Sequence, residues 1–107
     1  MPKKPLDTLT ESMFYVLMAL YHAPMCGIDI AAFIEERTGG RLQMGPATLY
    51  TILGKFEKVK YIREIEVQVR RRTYEVTPLG REAWEEEVQR LRCCVANAEQ
   101  TIKEGLL

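Results

Sequence analysis

A single histidine, His22, is the sequence's only near-neutral acid–base side chain. No nucleophile motif, glycine-rich phosphate loop or set of clustered carboxylates accompanies it. These absences count against the common hydrolytic and phosphotransfer chemistries, and the chain is not expected to be an enzyme. Cysteine is also scarce. Cys26, Cys93 and Cys94 are odd in number with two adjacent, which does not make a disulfide framework and suits a reducing cytoplasm. Neighbouring helical residues diverge by about 100°, so Cys93 and Cys94 cannot converge on one metal, and no metal or other cofactor is expected. Long apolar runs are missing too: nothing approaches the roughly 18 residues a bilayer span needs. The opening MPKKPLDTLTE has no apolar signal core, so no membrane association is expected and the location is expected to be cytoplasmic.

The last absence is net charge. Fifteen basic residues balance fifteen acidic ones over 107 residues, which by itself argues against nucleic acid. The average conceals a gradient. Residues 1–81 carry 12 Lys/Arg against 9 Asp/Glu, a charge of +3, and residues 82–107 carry 3 against 6, a charge of −3. Within 41–74 there are 8 basic and 3 acidic residues, a local excess of +5. Local fields of this kind, more than the total, select a charged partner.

Hydrophobic periodicity divides the chain into elements. Thr8 followed by Glu11 fits a capping box, and Leu9, Met13, Val16, Leu17, Leu20 and Tyr21 recur at helical spacing, so a buried helix is expected over 9–22. Pro24 and Gly27 break it. Ile28, Ile30, Ala31 and Ile34 mark a second helix ending at Thr38 before Gly39-Gly40. Gly45-Pro46 opens a third, with Leu49, Ile52, Leu53 and Phe56 as its apolar face. The period then changes to alternation from Ile62 to Val67 and again over 73–77. Two strands around a basic tip, 68–72, make a β-hairpin.

The last helix, starting at Pro78, carries a different signal. Trp84, Val88, Leu91, Val95, Ala98 and Ile102 are spaced by 4, 3, 4, 3 and 4, a heptad seam. A helix over 78–103 is about 39 Å long at 1.5 Å per residue, too long for so small a domain to cover. A second copy is the simplest partner, and all six seam residues are expected at a dimer interface. The fold class is therefore mainly α with a β-hairpin. It reads as a winged helix-turn-helix over 1–77 followed by a C-terminal dimerisation helix over 78–107. In that architecture the third helix enters the DNA major groove and the hairpin lies along the backbone, where the basic excess falls.

Candidate DNA contacts follow from position. Gln43 precedes the third helix, Thr48 and Tyr50 stand in its first turns, and Thr48, Thr51 and Lys55 share a face opposite the apolar one. Arg70, Arg71 and Arg72 repel one another at a loop but suit a phosphate backbone or minor groove. Lys3 and Lys4 form a basic arm. Trp84, with Val88 beside it, offers a flat ring near the two-fold axis where a planar ligand can stack. A rival reading from another class is a winged helix used for protein–protein contact without specific DNA binding.

GPATLYTILGKFEKVKYI and RRRTYEVTPLGREAW, with TLTESMFYVLMALYHAPMCGIDI before them, resemble the signature segments of the PadR family of transcriptional regulators over nearly the whole chain. The resemblance implies a homodimeric winged-helix repressor of double-stranded DNA, released by a small aromatic or cationic inducer. It gives Thr48 and Tyr50 a DNA-contact role and the Arg70–Arg72 tip the wing contact. Two positions depart from the family pattern: Ile28 replaces a usual tyrosine, and Lys60 replaces a usual glycine and must adopt that glycine's backbone angle.

Overall fold

A computed structural model of the chain describes residues 8–68 and 71–107. The elements run α1 (Glu11–His22), β1 (Met25–Cys26), α2 (Gly27–Arg37), α3 (Pro46–Lys58), β2 (Ile62–Gln68), β3 (Arg71–Val76) and α4 (Pro78–Lys103). The fold is mainly helical with one small antiparallel sheet, ordered β1-β3-β2.

Three helix starts, those of α1, α3 and α4, follow from the residues placed there. The cap of α1 is Thr10, not Thr8: the Thr10 hydroxyl accepts the Met13 amide at 3.1 Å. Glu11, expected to close a capping box, instead takes a bidentate hydrogen bond from Arg41 at 2.8 and 3.2 Å. Pro46 sits at the first position of α3 behind Gly45, where a missing N–H costs nothing. Thr77 caps α4 by accepting the Gly80 amide at 3.1 Å.

The apolar stripes of α1, α2 and α3 meet in one core. Val16, Leu17, Leu20, Ile30, Ile34, Leu53 and Phe56 are fully buried there, joined by Tyr61 from the turn before β2 and by Ile62 and Tyr74 from the sheet. Burying side chains of this size contributes roughly 1.5–3 kcal/mol each before entropy is charged against it. One junction ties the core to α4. The Thr77 hydroxyl donates to the Lys60 carbonyl at 2.6 Å, and the Thr77 amide donates to the Tyr61 carbonyl at 2.9 Å. Gly80 lies so close to that Tyr61 carbonyl that a Cβ has no room. The Tyr-x-x-Thr-x-x-Gly spacing of residues 74–80 is thus the joint between sheet and long helix.

Lys60 behaves as its position demands. Its φ is +67°, the left-handed region, and the Lys60 and Tyr61 amides bond back to Glu57 (3.1 Å) and Phe56 (2.9 Å). That is a Schellman ending, usually built on glycine.

Two features differ from the sequence-based expectation. Strand β1 was not foreseen: Met25 and Cys26 pair with Tyr74 and Thr73 of β3, but two residues are too few to show alternation. The hairpin strands also run further than expected. Arg71 and Arg72 are strand residues paired with Gln68 and Val67, not members of a loop. A bulge between Glu64 and Glu66 shifts the register within β2.

Helix α4 packs only its first half. Pro78 to Val88 lie over α1 and the sheet, and the following turns project outward with nearly every residue exposed. The radius of gyration, 15.7 Å, exceeds the roughly 13 Å of a compact chain this long because of that projection. Among the described residues, no helix is long and apolar enough to cross a membrane.

Candidate nucleic-acid interface

The amphipathic pattern of α3 decides what it shows to solvent. Leu49, Ile52, Leu53 and Phe56 face the core, leaving Ala47, Thr48, Thr51, Gly54, Lys55 and Lys58 on the open side. The structure brings Thr48, Thr51 and Lys55 together in a shallow groove of about 420 Å³, as their spacing predicts. It also adds residues the sequence reading missed. Thr10 and Ser12, from the start of α1, form the opposite wall. Neither carried a signal in the sequence, where the capping pattern pointed to Thr8.

Hydroxyls and an amine therefore surround one groove. The Thr51 hydroxyl donates to the Ala47 carbonyl at 2.9 Å, which leaves its oxygen lone pairs facing outward. No side chain among the described residues caps the N-terminus of α3, where Pro46 has no N–H and the amides of Ala47 and Thr48 lie at the positive end of the helix dipole. Gln43 is exposed just ahead of this turn. Arg41 is engaged elsewhere. Its bond to Glu11 holds that carboxyl below the usual carboxylate range and raises the guanidinium in turn.

Tyr50 is half-exposed and rests over the start of α2. A Cβ on Gly27 would come within 2.8 Å of the Tyr50 hydroxyl oxygen, so glycine there makes room for the ring. Ile28, standing where the family pattern has tyrosine, is 70% exposed beside it. Together with Met44 and Pro46 they border an apolar hollow of about 250 Å³.

The arginines of the hairpin do not act alike. Arg72 bridges to Glu64 across the sheet at 3.1 Å. Its hydrogen bond to Tyr74, then the charge of Glu64, raises its guanidinium further. Arg63 pairs with Glu75 directly opposite it. Arg71 is exposed and has no ion pair among the described residues. Arg70, Lys3 and Lys4 lie outside the described residues. The tip arginines are thus not equivalent among the described residues: Arg72, whose strand partner is Val67, reaches diagonally to Glu64, and Arg71 has no such ion pair.

The heptad seam of α4 divides in the same way. Trp84 does not stand open at its end. Its ring stacks on Phe14 at 5.6 Å and tilts against Tyr21 at 4.8 Å, within the chain. Val88 is half-buried, while Leu91, Val95, Ala98 and Ile102 are exposed. Phe14, Val88, Leu91 and Val95 line a groove of about 360 Å³ along the helix, with Arg92 and Glu99 at its edge. The spacing alone could not tell a neighbour in the same chain from one in another copy. Glu87, which carried no signal in the sequence, is buried here against Leu9 and Arg90.

Residues 16–86 match the transcriptional regulator PadR-like family. An uncharacterised 37.1 kDa protein in a transposon of Streptomyces fradiae is 39% identical over 77 residues, covering 72% of this chain and 22% of that protein. This chain therefore spans about a fifth of that relative's length. A transcriptional regulator from Clostridium thermocellum superposes with a TM-score of 0.73 at 22% identity, over 82% of this chain and 89% of that one. A PadR family regulator from Clostridium difficile gives 0.71 at 19% identity, over 84% and 96%. Bacillus subtilis PadR, solved in complex with operator DNA, gives 0.64 at 18% identity, over 73% and 46%.

Proposed function

The chain belongs to the transcriptional regulator PadR-like family, and on that premise we propose that it is a sequence-specific DNA-binding repressor acting as a homodimer. Helix α3 enters the major groove, and the β2–β3 hairpin lies on the adjacent backbone. One observation carries the reading: Thr48, Thr51 and Lys55 of α3 share a groove with Thr10 and Ser12, over a floor that includes Met13 and Ile52, at a helix N-terminus that no side chain caps. Hydroxyls, an amine and free amides are the groups that grip phosphate and base edges. The Bacillus subtilis relative bound to operator DNA supports the same use of the fold. On this reading Gln43, Tyr50, Arg71 and Arg72 extend the contact, with Arg70 at the wing and Lys3 and Lys4 as a basic arm.

Residues 1–77 hold the DNA-binding part, and 78–107 pair the protomers. The exposed seam from Leu91 to Ile102 supports this division, because a stripe of apolar residues on a projecting helix is stabilised by a copy of itself. A small aromatic or cationic inducer completes the scheme. Phe14 supports its placement near Trp84 and Val88, since it stacks on Trp84 and lines the groove beside Val88.

The test is a fluorescence-anisotropy titration of the protein into its own upstream intergenic DNA, with scrambled duplex as competitor, at two salt concentrations. Salt-sensitive binding at two protomers per site is the expected result. Binding no better than to the scramble would favour the rival protein-interaction reading, for which exposed Ile28 and Tyr50 offer an apolar surface.

A further inference from the structure

Gly54 stands in the interior of α3, and nothing among the described residues accounts for a glycine there. Glycine is the least favourable helix-interior residue after proline, because it has the most backbone freedom to lose. The other six glycines each have a local reason. Gly39, Gly40 and Gly105 have positive φ, Gly45 caps α3, and Gly27 and Gly80 lie against the Tyr50 hydroxyl and the Tyr61 carbonyl. Gly54 has no positive φ, and a Cβ built on it meets no atom of the described residues within 4 Å.

Its position gives the empty space a meaning. Ala47, Thr51, Gly54, Lys55 and Lys58 follow one another at helical spacing, so Gly54 lies in the middle of the open face. Thr51 stands one turn before it and Lys58 about one turn after. A missing side chain at the middle of a polar face is a notch through which the helix backbone can come nearer to whatever that face binds.

We propose that Gly54 is a specificity-determining position, the point where α3 comes closest to the base edges of the major groove. The missing side chain lets the helix seat deeply enough for Thr51 and Lys55 to reach them. This rests on the reading of α3 as the groove-entering helix. It differs from that reading in making a residue with no functional group responsible for discrimination.

The experiment selects a duplex from a pool with a randomised core using the wild-type protein. The recovered duplex and a scrambled version of it are then titrated with wild type and Gly54→Ala, and both proteins are melted. Because alanine is the better helix former, the variant's Tm is expected to rise by about 4 °C. Its affinity for the selected duplex is expected to fall about 10-fold or more, the scale of one lost base contact, while affinity for the scramble changes less than about 2-fold. Unchanged affinity for the selected duplex overturns the proposal, as does an equal loss on both duplexes. A lowered Tm also overturns it, by revealing a reason for glycine within the fold. If the wild type recovers no preferred duplex, the DNA reading itself fails and takes this proposal with it. That failure is visible before any variant is made.

Discussion

The carboxylate of Glu87, 5% exposed, accepts a 2.8 Å hydrogen bond from the backbone amide of Leu9, 78 residues earlier in the chain. The same carboxylate accepts two more from Arg90, at 2.6 and 3.0 Å. A charge-assisted bond to a buried group is among the stronger polar contacts, and it fastens the entry of α1 to α4. Glu87→Ala is therefore expected to lower stability by about 1 kcal/mol in urea unfolding, since it leaves the part-buried Leu9 amide without its acceptor. Glu87→Gln keeps an acceptor oxygen and loses less. Equal stability of wild type and Glu87→Ala would show that the clip contributes nothing.

Lys60 supplies a prediction of opposite sign. Its φ of +67° is unfavourable for a residue with a Cβ, and the Schellman bonds around it do not involve its side chain. Lys60→Gly removes that strain, offset in part by a more flexible unfolded chain, and is expected to stabilise by about 0.5–1 kcal/mol. A fall in Tm for this variant would show that the lysine side chain contributes more than its backbone costs.

Alkaline pH tests the packing of α4 on α1. The Tyr21 hydroxyl donates to the Glu85 carboxylate at 2.6 Å, and this bond, ahead of burial, raises its pKa above the ordinary value of 10.0. Burial raises that of Tyr74 as well. A raised folded-state pKa gives stability that is complete below the unfolded value and is lost as pH rises through the folded one. The melting temperature should therefore drop as pH rises beyond about 10, and Tyr21→Phe should show a shallower drop. An identical alkaline limb in that variant would rule out Tyr21 as a contributor.

Much of this architecture was legible because its signals are long. Three amphipathic helices and a 26-residue α4 leave many repeats of one period, and their order alone pointed to a winged helix. The common face of Thr48, Thr51 and Lys55 was legible for the same reason. Shorter or longer-range relationships were not. Strand β1 has two residues, and the Arg72–Glu64 bridge depends on a register that a bulge resets. Trp84 fits the heptad spacing, yet packs on Phe14 and Tyr21 because the first turns of α4 lie over α1. Glu87 looked like one more acid in an acidic run; only the fold brings Leu9 to it.

The proposed self-association through the seam has its own test. Val95 is 55% exposed on the projecting half of α4, so a charge there should leave the monomer's core intact. Val95→Glu is expected to shift the sedimentation mass from two chains to one at micromolar concentration, with the far-ultraviolet circular dichroism of the folded part retained. A wild-type protein that sediments as a single chain would contradict the dimer.

On the proposed reading, the open face of α3 and Arg71 of β3 bind the DNA backbone and its base edges together. The most direct test is the salt dependence of binding to the upstream duplex, for wild type and for Lys55→Ala/Arg71→Ala. Each phosphate contact contributes about 0.9 to the slope of log K against log salt, so losing two should flatten it by about 1.8. A slope unchanged in the double variant would place the DNA on another face of the protein.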